Sequence, residues 1–148
     1  MPTNKWLFGT HTELGTNLLA GLINSTSDTT GIVLSAAIDN SVLLYQYIQF
    51  EAIIPAPAAA YSANAFVALY AVPTYDGTNY ADATDVSELN GLWLASIPIA
   101  TPVAAHRGGS PIAPIPFPTF KILAQNKTGQ TFAAASQLKY RLFADNSV

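Results

Sequence analysis

Hydrophobic positions recur with a period of two along much of the chain, which is typical of β-strands. The first clear run covers residues 32–38, and further runs cover 42–54, 65–72, 92–99, 120–124 and 138–142. Pro55 and Pro73 end the second and third runs, and clusters of Gly, Asn and Asp separate several of the others. Short strands separated by such turns predict an all-β fold, an antiparallel β-sandwich that is jelly-roll-like.

The segment before the first run has a different pattern. Four of its leucines approach helical spacing: Leu14, Leu18, Leu19 and Leu22. They predict a short helix over residues 12–23, although Gly15 and Gly21 weaken it. We therefore predict an extended N-terminal arm, residues 1–30, that carries this helix, followed by a single β-sandwich domain of residues 31–148.

The runs at 42–54 and 65–72 are apolar on both faces. An antiparallel sheet with one solvated face should alternate cleanly, so a strand that is apolar on both faces is covered twice. The second cover is a loop of the same chain or another subunit, and a ligand platform is a third alternative. We predict a homotypic interface formed by four aromatic side chains of these runs: Tyr45, Tyr47, Phe66 and Tyr70.

The composition narrows the class of protein. Of the 148 residues, 50% are hydrophobic and 10% are charged, and the mean hydropathy is +0.28. The chain is too apolar for a disordered tail, and so few charges indicate that much of its surface contacts protein. Two windows lack charge, residues 52–75 and 89–106, but both contain prolines and polar residues. We therefore predict no membrane-spanning segment and no membrane partner.

Candidate chemistry is sparse. The chain has no cysteine and no Gly-x-Ser-x-Gly motif, and neither His11 nor His106 has a suggestive partner nearby in sequence. The Asn-Lys-Thr glycosylation pattern at Asn126 lies in a predicted turn and is interpreted as a chance match. We therefore predict that the protein is not an enzyme and has no catalytic residues and no cofactor.

Four acidic residues lie close together in sequence: Asp76, Asp82, Asp85 and Glu88. Their spacing is not that of an EF-hand, so a solvated acidic loop is the preferred interpretation. Calcium binding is kept as an alternative, and no metal site is predicted.

Charge is unevenly distributed along the chain. Residues 1–106 carry one lysine and eight acids, a net charge of −7, whereas residues 107–148 carry five basic residues and one acid, a net charge of +4. On a predicted last hairpin, three basic side chains lie opposite the apolar face and form a basic stripe: Lys121, Lys139 and Arg141. An acidic neighbouring subunit suits this stripe better than nucleic acid does. The alternative is that folding mixes the acidic and basic residues evenly in space, so that no charged patch forms.

The C-terminal residues 120–141 combine a strand, an Asn-x-Thr-Gly turn, a stretch of small residues and a Leu-x-Tyr-Arg strand. This order resembles the closing segment of a family of small virion proteins of tailed bacteriophages, and residues 34–40 and 75–82 resemble the family more loosely. The resemblance implies a jelly-roll-like fold and a capsid decoration (cement) protein, a trimer on the outer head surface whose partners are itself and the major capsid protein. It also implies assembly in the host cytoplasm.

In this interpretation the aromatic interface joins copies of the chain, and the apolar N-terminus docks on adjacent capsid subunits. The docking residues are predicted to be Trp6, Leu7 and Phe8. The alternative function is a carbohydrate-binding or tail-associated virion module for host attachment, in which the same tyrosines and Trp93 are exposed as stacking platforms.

Overall fold

The computed structural model describes residues 4–27, 29–80, 92–99 and 103–147. Within these residues the secondary structure consists of strands and turns, with no helix. The strands are β1 (Asn4–Phe8), β2 (Thr12–Glu13), β3 (Ile32–Asp39), β4 (Tyr47–Ile54), β5 (Phe66–Pro73), β6 (Leu92–Pro98), β7 (His106–Gly109), β8 (Ala113–Pro114), β9 (Thr119–Lys127) and β10 (Gln137–Ser147). The predicted all-β class is confirmed.

The strands form two antiparallel sheets packed as a sandwich. Sheet 1 has the order β1-β10-β4-β7, with β2 also paired to β10 and β8 also paired to β4. Sheet 2 has the order β3-β9-β5-β6. Neighbouring strands within each sheet are mostly distant in sequence, as in the pairing of Tyr140 on β10 with Phe50 on β4. The chain therefore crosses repeatedly between the sheets, which is the jelly-roll-like arrangement that was predicted.

The core lies between the sheets and is built by strand alternation. Every second side chain of β4 points inward, and the same holds for the central strands of sheet 2. The inward set includes Ile48, Phe50, Ala52, Val67, Leu69, Phe120, Ile122 and Leu138, all of them buried. Burying one large apolar side chain contributes about 1.5–3 kcal/mol to stability. Because side chains alternate along a strand, burial of this inward set also determines which side chains face outward.

The predicted helix at residues 12–23 is wrong. Residues 12–13 form β2, and residues 16–21 form successive turns. Gly15, Asn17 and Gly21 have φ angles of 93°, 52° and 67°, which no right-handed helix can contain. Leu14 and Leu19 are nevertheless buried in the core. The leucine spacing therefore reflects burial from a turn rather than from a helical face.

Part of the predicted N-terminal arm is a strand of the sandwich. Residues 4–8 form β1, which pairs along its whole length with β10, and Phe8 lies opposite Phe143. Sheet 1 therefore includes residues from the N-terminal side of the predicted domain boundary at residue 30. The N-terminal hydrophobic residues continue the pattern of the sheet.

The second predicted strand begins later than expected. Residues 42–44 lie in a turn before β4, where Leu44 has a φ of 49°. The side chains of Val42, Leu43 and Leu44 are 83%, 68% and 64% exposed. The apolar pattern of 42–46 thus combines an exposed turn with the approach to the strand.

The predicted basic stripe is wrong because β9 and β10 belong to different sheets. Residues 128–136 cross the sandwich instead of forming a hairpin, and Phe132 in this crossing is buried in the core. Lys121 therefore lies on the outer face of sheet 2, whereas Lys139 and Arg141 lie on the outer face of sheet 1.

No helix of the described residues is long and apolar enough to cross a membrane.

Candidate functional site

A groove runs along the outer face of sheet 1, over β4 and β10. It consists of two adjoining cavities of about 330 and 170 Å³. The first cavity is lined by His11, Gln49, Phe50, Glu51, Arg107, Gly109 and Arg141. The second is lined by Phe8, Gln49, Ile112, Arg141 and Phe143. Gln49 and Arg141 line both cavities, so the two cavities form one continuous feature, called here the groove.

Strand alternation explains which side chains form the floor of the groove. On β4 the inward side chains are Ile48 and Phe50, so Gln49 and Glu51 point outward. On β10 Arg141 lies directly opposite Gln49 in the pairing register. The floor is therefore made of regular, hydrogen-bonded strand, which holds these side chains more firmly than a loop would.

The polar end of the groove is centred on Glu51. Its Oε1 accepts a hydrogen bond from Nε of Arg107 at 2.5 Å, and its Oε2 lies 3.3 Å from Nε2 of His11. Arg107 holds the pKa of Glu51 below its ordinary value, and partial burial opposes this shift without reversing it. Glu51 is therefore an ionised acceptor at neutral pH.

One wall of the groove is fixed to the floor by a buried serine. Ser110 follows β7, and its amide donates to the carbonyl of Phe50 at 2.9 Å. The amide of Phe50 donates to Oγ of Ser110 at 3.0 Å, and Nε2 of Gln49 donates to the Ser110 carbonyl at 3.1 Å. These three bonds hold the segment that carries Arg107 and Ile112 against β4.

The aromatic end of the groove is a row of three rings across β1, β10 and β4. The ring centroids of Phe8 and Phe143 are 6.1 Å apart, and those of Tyr47 and Phe143 are 5.7 Å apart in a stacked arrangement. Phe143 is buried beneath its neighbours, whereas Phe8 is 60% exposed. The row therefore presents the ring of Phe8 to a ligand.

Arg141 lies between the polar end and the aromatic end. Its guanidinium carbon is 5.9 Å from the centroid of the Phe8 ring. Across the described part of the chain, no carboxylate lies within 4.0 Å of this guanidinium. Arg141 is thus a cation that packs on a ring and has no acidic partner among those residues.

The four aromatic residues predicted as a homotypic interface are divided between the two sheets. Tyr47 belongs to the aromatic row, and Tyr45 packs half-buried against the core. Phe66 and Tyr70 lie on β5 in sheet 2 and are also half-buried. Tyr70 packs edge-on against Trp93 at 5.3 Å, and Trp93 is 50% exposed. The four residues do not share one face, and their role between subunits stays a prediction.

The predicted docking residues also separate. The side chain of Trp6 lies outside the described part of the structure. Leu7 and Phe8 are both exposed, but successive side chains of a strand point to opposite faces. Of these two residues, Phe8 therefore belongs to the groove.

The predicted acidic loop is described only at Asp76. Its carboxylate accepts hydrogen bonds from the amides of Thr78 and Asn79 at 2.8 and 2.6 Å. These bonds lower the pKa of Asp76 to about 2, so this carboxylate caps its own turn. Asp82, Asp85 and Glu88 lie outside the described residues, and the described ones contain no cluster of three potential metal ligands.

Sequence reasoning missed the association of His11, Glu51 and Arg107. These residues lie on three separate segments that only sheet 1 brings together. One local signal was present, because the alternation of β4 puts Gln49 and Glu51 on the face opposite Ile48 and Phe50. Nothing in the sequence could place Arg107 beside them.

No family model matches the chain, and no curated protein matches it. Among solved structures it is similar to the K1 cleaved adhesin domain of Lys-gingipain from Porphyromonas gingivalis W83, at 13% identity and a TM-score of 0.42, over 78% of this chain and 63% of that one.

Two further similar structures come from Clostridium thermocellum and Cellvibrio japonicus. One is the CBM22-1-GH10 part of Clostridium thermocellum xylanase 10B, with 10% identity, a TM-score of 0.49, 97% of this chain and 27% of that one. The other is CBM35 from Cellvibrio japonicus Abf62, with 12% identity, a TM-score of 0.40 and 92% of each chain. This chain spans less than two thirds of the gingipain and xylanase structures. Likeness at this distance assigns neither a family nor a function.

Proposed function

We propose that this chain is a carbohydrate-binding module that holds a segment of a glycan in the groove of sheet 1. One observation carries the proposal: a single groove on a rigid sheet places an exposed aromatic ring next to a row of planar polar side chains. That combination is what a sugar requires, because a sugar has an apolar C–H face and a rim of hydroxyl groups.

The polar side chains of the groove can both donate hydrogen bonds to sugar hydroxyl groups and accept hydrogen bonds from them. Arg141 supplies donors, Arg107 supplies the N–H groups that it does not use on Glu51, and the side-chain amide of Gln49 supplies a donor and an acceptor. Neighbouring hydroxyls on a sugar ring each donate and accept, so paired N–H groups and an amide oxygen match them. At the other end the Phe8 ring stacks on a C–H face.

The groove is preorganised for binding. Gln49, Glu51 and Arg141 are on paired strands, and Ser110 ties the neighbouring wall to β4. Little side-chain and loop freedom is then lost when a ligand is held, which favours affinity.

Binding without hydrolysis is part of the proposal. Glycoside hydrolysis ordinarily uses two carboxyl groups, one of them protonated to act as an acid. Glu51 is the single carboxylate among the described residues that line the groove. The pKa of Glu51 is lowered, so it is poorly suited to donate a proton.

The bacteriophage resemblance would place this module on a virion, where glycan binding attaches the particle to a host cell. Capsid decoration is the second candidate function. The exposed apolar turn Val42, Leu43 and Leu44 favours it, because adjacent exposed apolar side chains are typical of protein contact sites. A homotrimer that binds the major capsid protein stays a prediction of that interpretation.

A glycan array probed with the purified chain, run beside a binding assay on purified phage heads, separates the two functions. We expect glycan signals that free oligosaccharide competes away and that titration calorimetry reproduces, with no release of reducing sugar. A protein that ignores every glycan but binds heads, and sediments as a trimer, would reject the carbohydrate proposal and favour decoration.

A further inference from the structure

We infer that the groove selects acidic glycans, and that Arg141 is the residue that recognises their anionic group. This inference rests on the proposed function and names its ligand class. It starts from the distribution of charge in the groove.

The groove contains more positive than negative charge. Its described lining has two guanidinium groups, Arg107 and Arg141, and one carboxylate, Glu51. Arg107 is bonded to Glu51, and these two charges compensate each other. No acidic side chain among the described residues lies within 4.0 Å of the Arg141 guanidinium, so its charge has no partner there.

Arg141 also occupies the position that a bound glycan must pass. It lines both cavities, and the aromatic and polar ends of the groove lie on either side of it. A ligand that covers the Phe8 ring and reaches Gln49 therefore lies against the guanidinium.

The contact with Phe8 leaves the hydrogen-bond donors of the guanidinium available, because an aromatic ring attracts a cation through its face and not through an acceptor atom. The N–H groups of a guanidinium lie in one plane. A planar fork of donors matches the two oxygens of a carboxylate, and it also matches sulfate oxygens. The shared ligand chemistry is therefore an anionic oxygen group attached to a sugar.

A neutral sugar would fit this site less well. It would remove the Arg141 charge from water without supplying an opposite charge, and such desolvation is costly. An acidic sugar supplies an opposite charge, and the ion pair that it forms with Arg141 offsets the cost of desolvation. The groove should therefore favour the acidic member of any matched pair of glycans.

The test uses matched ligands. The purified chain is titrated with glucuronate-containing, galacturonate-containing, sialylated and sulfated oligosaccharides, each beside its neutral parent. The best carboxylated ligand is then compared with its carboxyl-reduced form, which differs only in that group. We expect the acidic form to bind about tenfold or more tightly, and the preference to weaken as salt is raised. The carboxylated and sulfated arms show which anion is used.

Variants assign the preference to Arg141. Arg141→Gln should lose about tenfold or more in affinity for the acidic ligand and abolish the preference over its neutral parent. Lys127→Gln removes the same charge from sheet 2 and should retain the preference. Thermal unfolding of each variant confirms that it is folded.

The outcomes distinguish this inference from the proposed function. If acidic and neutral ligands bind equally well in the groove, the inference is wrong and the proposed function stands. If the preference survives in Arg141→Gln, Arg141 is not the recognising residue. If no glycan binds at all, both proposals fall.

Discussion

The guanidinium carbon of Arg141 lies 5.9 Å from the centroid of the Phe8 ring, so the middle of β10 is in contact with the end of β1. Phe8 also packs against Phe143, which lies opposite it in the strand register. Phe8 on β1 is thereby part of the groove. An N-terminal segment that looks in sequence like a free apolar arm instead supplies an aromatic side chain to the candidate site.

The exposed ring of Phe8 should matter more for binding than for stability. We expect Phe8→Ala to weaken glycan binding by about tenfold, because a stacked ring contributes both buried area and geometry. The midpoint of thermal unfolding should change little, because the ring is mostly exposed. Trp93→Ala is the matched control, an exposed aromatic on the outer face of sheet 2, and it should bind normally. A loss confined to Trp93→Ala would move the site to the other sheet.

Gly31 allows a close approach between two backbone segments. It has a φ of 64°, and a Cβ there would lie 2.6 Å from the carbonyl oxygen of Ile23 and from the amide of Ser25. Gly77 has a φ of 80° with nothing within 4 Å of the same position. We expect Gly77→Ala to cost about 1 kcal/mol through backbone strain alone, and Gly31→Ala to cost about 3 kcal/mol or more. Urea unfolding measures both, and equal losses would contradict the close approach.

Asn126 is fully buried and connects two loops. Its Nδ2 donates to the carbonyls of Leu22 and Gln130 at 2.8 Å each, and its Oδ1 accepts from the amide of Thr128 at 3.0 Å. Asn126→Ala should cost about 1–3 kcal/mol, because buried partners are left unsatisfied. Chemical denaturation measures the loss, with Lys127→Ala as a near-neutral control. A fully stable Asn126→Ala protein would show that these bonds contribute nothing net.

The turn at Asp76 gives the protein a pH-dependent contribution to stability. The folded pKa of about 2 is below the ordinary value of 3.8, so the ionised carboxylate is favoured by folding. The contribution is therefore complete above about pH 4 and is lost as the pH falls towards 2. We expect Asp76→Ala to lower the unfolding temperature at pH 6, and the difference from the unmodified chain to shrink on acidification.

Thr78→Ala serves as the control for that turn. It keeps the backbone amide that Asp76 accepts from, so the acid dependence should persist. A difference between Asp76→Ala and the unmodified chain that is the same at pH 6 and pH 2 would show that the carboxylate does not act through its charge.

The strands that the sequence predicts well are those with a strong local pattern. Alternation and terminal prolines locate β3, β5 and β6 to within about two residues, and they place the start of β10. The short strands β1, β2, β7 and β8 were not predicted. They have few residues in which a period can show, and they exist because a longer strand offers them hydrogen-bond partners.

The candidate site was less predictable than the fold. Glu51 could be placed on an outward face, but Arg107 and His11 reach it from distant segments. The predicted helix failed for a related reason, because Leu14 and Leu19 are buried from a chain of turns rather than from one face. Spacing in sequence reports burial, and it does not report the backbone path that produces it.

The three basic residues of the predicted stripe separate what the sequence determined from what the tertiary structure decided. They are Lys121, Lys139 and Arg141. The sequence alone determined that each points away from the core, because side chains alternate along a strand and the neighbours of all three are apolar. Only the tertiary structure decided that Lys121 belongs to sheet 2 and the other two to sheet 1. Alternation is a property of the local backbone, whereas membership of a sheet depends on hydrogen bonds between segments far apart in the chain. Those long-range pairings therefore created the groove and left Arg141 in it without a described acidic partner.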